Sequence, residues 1–152
     1  MSVKYILYNP LSCNGKGTEL AQKLTDIYKD DELKYCNMTQ ISGYGTFFDS
    51  ISPESDIVLC GGDGTLNRFI NDSDGYPYEN PLYYYGTGSG NDFLRDLGME
   101  QGCEPVRINE YVRNLPIVTV NGKSSRFINA IGYGIDGYCC EKGDELREKS
   151  DK

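Results

Sequence analysis

Apolar positions along this 152-residue chain come in short bursts separated by glycine-rich or polar breaks. Val3 to Tyr8 is a run of this kind, ended by Asn9-Pro10, and predicts a buried strand meeting a turn because proline cannot continue a ladder. From Thr18 to Tyr28, Leu20, Ala21, Leu24, Ile27 and Tyr28 fall at helical spacing, with Thr18 as a cap and Glu19 as a first-turn acid. Leu33 to Met38 predicts a second strand, Tyr44 to Ile51 a second helix, and Asp56 to Cys60 a third strand buried on both faces. Thr65 to Asn71 starts directly after Gly61-Gly62-Asp63-Gly64 and carries Leu66, Phe69 and Ile70 on one helical face. Leu82 to Tyr85 repeats the unit: strand, then GTGSGND, then Phe93, Leu94 and Leu97 at helical spacing up to Gly98.

Strands alternating with helices predict an α/β fold over residues 1–114, three-layered (α/β/α), with a mainly parallel sheet and right-handed crossovers. The rhythm then changes. Leu115 to Val120 and Arg126 to Ile131 are strand-like runs around Asn121-Gly122, a pair that tolerates the positive φ of a type I′ hairpin. Glu141 to Lys152 is almost wholly polar and has no apolar partner of its own. Residues 115–152 are therefore expected to hold the first hairpin of a β-rich second domain that is cut short.

Composition narrows the function. Net charge −8 repels nucleic-acid phosphates and argues against nucleic-acid partners. The first residues offer too short an apolar run for a signal or spanning segment, so a cytoplasmic protein without a transmembrane segment is expected. The six cysteines form no CxxC pair and suit reduced, buried thiols. The chain has no histidine, which removes the usual general base of Ser and Cys nucleophiles and the commonest zinc ligand. Carboxylates, hydroxyls and backbone groups are left to do any chemistry.

Two glycine loops carry the candidate chemistry. Gly61-Gly62-Asp63-Gly64-Thr65 lies between a buried strand and a helix start, where free helix N–H groups attract phosphate oxygens and glycines permit close approach. Asp63 is expected to project into the crevice at the carboxyl end of the sheet, where a carboxylate beside phosphates makes sense through magnesium. Gly86-Thr87-Gly88-Ser89-Gly90-Asn91-Asp92 repeats the construction, although Asn91 or Asp92 also suits a simple N-cap. Asn9 to Gly17 is a third polar loop, equally readable as ordinary turn chemistry.

Other motifs fail on context. A Walker loop would need glycine at Pro10 and a hydroxyl residue at Gly17. Gly132 to Gly137 matches GxGxxG but follows a hairpin strand, and Ser89 lacks both the first glycine of a GxSxG elbow and any histidine. Asp72 to Gly75 lacks the leading acid of a calcium loop, and Asn37-Met38-Thr39 is a glycosylation triplet without a secretory route.

Taken together, NPxS at Asn9 to Ser12, GGDGTxN at Gly61 to Asn67 and G-[ST]-x-N-D-F at Gly88 to Phe93 resemble the diacylglycerol kinase catalytic domain family, which includes sphingosine, ceramide and bacterial lipid kinases. Phe127 to Asp136 also resembles the family's FxNxxGxGxD segment. The resemblance implies a sheet like that of NAD kinase and phosphofructokinase, with ATP and Mg2+ as cofactors and a diacylglycerol-like lipid alcohol at the membrane surface as acceptor. It implies nucleotide contacts from Asn9, Pro10, Ser12, Thr39, Gly61, Gly62, Asp63, Gly64, Thr65, Leu66, Asn67, Gly88, Ser89, Asn91 and Asp92. Asp63 would be the catalytic residue, organising the metal through a water. Two positions depart from the pattern: Cys13 stands where the family commonly has glycine, and Arg68 where it commonly has Glu. The family's general base, in an Asp-Gly-Glu motif, would lie beyond residue 152, so the chain alone is expected to be inactive. Competing readings are a phosphoryl transferase of the NAD kinase or phosphofructokinase type, since GGDGT is shared there, and a nucleotide-binding module without catalysis.

Overall fold

A computed structural model describes residues 2–131; the readings made for Gly132 to Gly137, Cys139, Cys140 and the polar tail lie outside them. Five strands form one sheet in the order β2-β1-β3-β4-β5. These are β1 (Val3–Tyr8), β2 (Glu32–Asn37), β3 (Asp56–Gly61), β4 (Leu82–Gly86) and β5 (Val106–Arg107). β1 to β4 run parallel and β5 closes the far edge antiparallel.

Alternation along the strands feeds two cores. Leu7, Ile57, Leu59, Leu82 and Tyr84 face helices α4 (Tyr44–Asp49), α5 (Asp63–Asp72) and α6 (Asp92–Asp96). Ile6, Val58, Cys60 and Tyr85 face α2 (Gly17–Gln22) and α3 (Leu24–Ile27), through Ala21 and Leu24. The three-layer α/β arrangement follows, because strands buried on both faces leave no room for polar alternation. The chain moves from β1 outward to β2 and then back across β1 to β3. Crossovers of one hand therefore put their helices on opposite faces, and strand order reverses between β1 and β3.

At the other end of the sheet, Lys4 is buried between Asp56 and Asp31, with Tyr28 against its ammonium. Burial alone would lower the Lys4 pKa; the two carboxylates outweigh it and hold the group above its ordinary value.

Several elements differ from expectation. The helix expected over Thr18 to Tyr28 is two pieces, because the Lys23 N–H turns to the Leu20 carbonyl and tightens the turn. Thr18 makes no cap; it lies inside α2, although Glu19 does sit in the first turn. A one-turn α1 (Ser12–Gly15) precedes them, with Cys13 and Asn14 at φ 54° and 57° in the left-handed region. α5 starts at Asp63, two residues before the expected Thr65. β5 gave no periodic signal because two residues are too few to show one.

A separate hairpin pairs β6 (Ile117–Val120) with β7 (Lys123–Arg126) through Asn121 and Gly122, both at positive φ as a type I′ turn requires. The second strand was expected from Arg126 to Ile131. Pairing of Val120 with Lys123 instead places it at Lys123–Arg126, on polar residues that an exposed strand tolerates, and Phe127 to Ile131 lie outside it. The Asn71 amide secures the hairpin to α5, with Nδ2 donating to the Arg126 carbonyl at 3.0 Å and Oδ1 accepting from the Arg126 N–H at 2.9 Å. Asn71→Ala should loosen that docking by about 1–3 kcal/mol. Hydrogen exchange should then speed up at Arg126 while β3 amides stay protected; unchanged protection at Arg126 would rule the tie out.

Candidate nucleotide site

The carboxyl ends of β1 to β4 finish nearly level, with Tyr8 opposite Asn37 and Cys60 and with Gly61 opposite Gly86. Loops leaving β1, β3 and β4 thus emerge side by side. They are bonded to one another: the Thr87 N–H donates to the Gly61 carbonyl at 2.9 Å, and the Cys13 thiol to the Thr87 carbonyl at 3.3 Å.

Glycines set how closely the loops approach. A Cβ on Gly88 would lie 2.7 Å from the Gly62 Cα, and one on Gly61 would lie 2.5 Å from the Thr65 side chain. Protein backbone therefore occupies the space that these glycines leave free, so part of their role is packing loop against loop. Gly64 is different: it is exposed, and a Cβ there would meet nothing within 4 Å. Gly64→Ala should stabilise α5 by up to about 1 kcal/mol and raise the midpoint by about 2–4 °C in calorimetry. A lowered midpoint would mean a contact the present geometry lacks.

Asp63 opens α5 after its N-cap Gly62, and its carboxylate turns toward α6. Its Oδ2 accepts from the Asp92 N–H at 2.9 Å and its Oδ1 from the Phe93 N–H at 3.1 Å. The acid thus caps α6 from 29 residues upstream, an arrangement with no local sequence signal. The expectation that Asn91 or Asp92 supplies the cap is corrected accordingly. Asn91, at φ 51°, makes no cap bond; its Nδ2 donates to the Gly88 carbonyl, as does Gln101 Nε2 at 3.0 Å. Gln101 is a loop-fixing residue that sequence reasoning missed.

The other expected residues divide by position. Gly64, Asn67, Ser89 and Asp92 are exposed around the crevice, with Asp92 facing Arg95 at 3.6 Å. Thr65 is buried over Gly61, and Leu66 is fully buried in the core. Asn9 forms a closed turn around Pro10: its Oδ1 accepts from the Leu11 N–H at 3.0 Å and its carbonyl from the Ser12 Oγ at 2.7 Å. Thr39 lies on a 3-10 turn after β2, exposed, with N–H and Oγ1 both bonded to Asn37 Oδ1. It stands one strand further from the glycine loops than Asn9 does.

Both departures from the family pattern have physical accounts. Cys13 occupies a left-handed position that favours glycine, and its thiol adds the bond to Thr87. Arg68 is exposed and paired with Asp72 at 3.2 Å, one turn further along α5. Beneath the loops, burial pushes the Cys60 thiol up to about 12, so it stays protonated at neutral pH. Burial and then the Asp63 charge raise Tyr84 well above its ordinary value, and its hydroxyl donates to the Gly61 carbonyl at 3.1 Å.

The backbone at the mouth suits an anion. The first intrahelical bond of α5 runs from Leu66 N–H to the Gly62 carbonyl, so the amides of Asp63, Gly64 and Thr65 precede it and have no intrahelical acceptor. Among the described residues no cluster of three metal-binding side chains exists. Asp63 keeps lone pairs beyond the two it uses on α6, which fits a hydrated ion held largely by phosphate oxygens and not a protein cage.

A doubly wound sheet with glycine loops packed together at its carboxyl ends defines a nucleotide-type α/β domain. The family model of the diacylglycerol kinase catalytic domain matches residues 4–120, and the chain belongs to that family. At family level it is the ATP-binding catalytic region of a lipid kinase. A comparison with curated proteins gives no match.

Proposed function

We infer that this chain binds ATP with its phosphates over the N-terminus of α5 and serves as the nucleotide half of a kinase acting on a diacylglycerol-like alcohol. The observation that carries this reading is the packing of three strand-end loops against one another where α5 begins, a helix whose Asp63, Gly64 and Thr65 amides have no intrahelical acceptor. Those amides and the helix dipole hold phosphate oxygens. Ser89, exposed on the loop after β4, would donate its hydroxyl to the same group. The Gly61, Gly62 and Gly88 backbones set the floor. Asn9, Pro10 and Ser12 form the wall on the β1 side, with Thr39 beyond it.

Magnesium, when bound, neutralises charge on the phosphates, and Asp63 would hold it through a water. The chain's own contribution is positioning. Asp63 ties α5 to α6 and so fixes the distance between the two glycine loops. In the reaction the acceptor oxygen bonds to the γ-phosphorus, the bond to the β,γ-bridging oxygen breaks, and ADP departs. The acceptor proton needs a base. Asp63 is committed to α6 and Asp92 pairs with Arg95, so we assign the base to neither.

The same reading divides the protein at residues 114 and 115, the hairpin opening a second, β-rich unit. It puts the chain in the cytoplasm, reaching its lipid at a membrane surface; no helix among the described residues is long and apolar enough to cross one. Calorimetry with magnesium-ATP should give a saturable heat, while radiolabelled ATP and diacylglycerol micelles should show no transfer by this chain alone. An absent heat at millimolar nucleotide would sink the nucleotide reading, and robust transfer would put the base within these 152 residues.

A further inference from the structure

We propose that Tyr84, in the core beneath the loops, is a positioning residue for the nucleotide: its hydroxyl keeps the peptide between Gly61 and Gly62 turned so that the Gly62 N–H faces the gap between β1 and β3. The proposal rests on the nucleotide reading above and adds to the amides of Asp63, Gly64 and Thr65 one further donor and the residue that aims it. The Gly61 carbonyl accepts twice, from the Thr87 N–H at 2.9 Å and from the Tyr84 hydroxyl at 3.1 Å. Both donors lie on β4 or directly after it, so this carbonyl points to the β4 side of β3. A trans peptide is planar, with its C=O and N–H directed opposite ways, and the Gly62 N–H therefore points toward β1. It donates to no acceptor among the described residues. The next carbonyl after β1, at Asn9, is already taken by the Ser12 N–H at 3.0 Å and the Ser12 Oγ at 2.7 Å. Strand order reverses between β1 and β3, the place where open α/β sheets receive ligands.

This peptide needs a tie because glycine stands on both sides of it. With no Cβ at Gly61 or Gly62, sterics barely oppose a flip that would set a carbonyl oxygen against a phosphate. Tyr84 supplies the tie from a fixed position: it is fully buried, and its ring lies edge-on to Phe93 of α6 at 5.8 Å. Burial, and then the Asp63 charge, keep its hydroxyl protonated and therefore a donor. The loop after β4 repeats the device. The Gly88 carbonyl accepts from Asn91 Nδ2 and from Gln101 Nε2, which directs the Ser89 N–H of the same peptide away from both. In each glycine loop, side chains saturate one carbonyl and so turn the N–H behind it outward.

The test pairs two variants of the whole chain, each losing one buried hydroxyl. Tyr84→Phe should weaken magnesium-ATP at least about threefold in calorimetric titration, the scale of one hydrogen bond. Tyr44→Phe removes a hydroxyl from the same core that has no hydrogen-bond partner among the described residues, and should leave the affinity unchanged. Wild-type affinity in Tyr84→Phe, or equal losses in the two variants, overturns the proposal. Amide NMR tests it without any variant. In the wild-type chain the Gly62 amide proton should shift with those of Asp63, Gly64 and Thr65 and saturate at the same magnesium-ATP concentration; in Tyr84→Phe its response should shrink. A still Gly62 beside three responding amides refutes the role of Tyr84 alone, whereas silence at all four refutes the nucleotide reading and this role with it.

Discussion

Gly88→Val is expected to weaken nucleotide binding while leaving most of the sheet folded. Its Cβ would lie 2.7 Å from the Gly62 Cα, so the two glycine loops must separate, and neither partner is a flexible side chain that can move aside. Overpacking of this kind costs about 1–3 kcal/mol. The larger loss is functional, because the loops can no longer face one ligand together. Magnesium-ATP affinity should fall at least about tenfold, equivalent to about 1.4 kcal/mol. Gly62→Val should act in the same direction but less strongly, since its Cβ would sit 3.2 Å from the Gly88 Cα and its φ of −94° suits any residue. Denaturant unfolding and calorimetric titration on the same samples separate the two effects. Wild-type affinity in Gly88→Val would show that the loops do not need their contact.

Asp63→Asn should affect both stability and binding. The amide nitrogen replaces one of the two acceptors and faces a backbone N–H of α6 with another donor. The cost of leaving one helix-start amide without its charged partner is about 1–3 kcal/mol. If Asp63 also holds the metal through water, affinity for magnesium-ATP should drop about tenfold or more, while affinity for ATP in excess chelator changes far less. Equal losses with and without magnesium would reduce Asp63 to a cap.

Much of this fold was legible in the sequence because its strands obey simple rules. Buried runs such as Asp56 to Cys60 have few alternatives, and glycines between a strand and a helix mark the ligand edge of an α/β sheet. Asn121-Gly122 announced its turn through the backbone it demands. What stayed hidden depends on contacts across the chain. The cap on α6 comes from Asp63, and nothing near Asp92 signals it. The first polar stretch of β7, Lys123-Ser124-Ser125, has no apolar period because the hairpin leaves it exposed. At the site, residue types pointed to phosphate chemistry, but the glycines differ in ways that only coordinates distinguish: open space over Gly64, close approach to another loop at Gly88. Leu66, inside the same motif, has its side chain in the core.

The most direct measurement is amide NMR of the isotopically labelled chain titrated with magnesium-ATP. Phosphates over the N-terminus of α5 predict the largest, saturable shifts at Asp63, Gly64 and Thr65, with Gly88 and Ser89 following. The contradictory result would be a saturable response centred on the separate hollow of about 410 Å³ near Tyr76, Tyr78 and Val112, with the α5 amides unmoved.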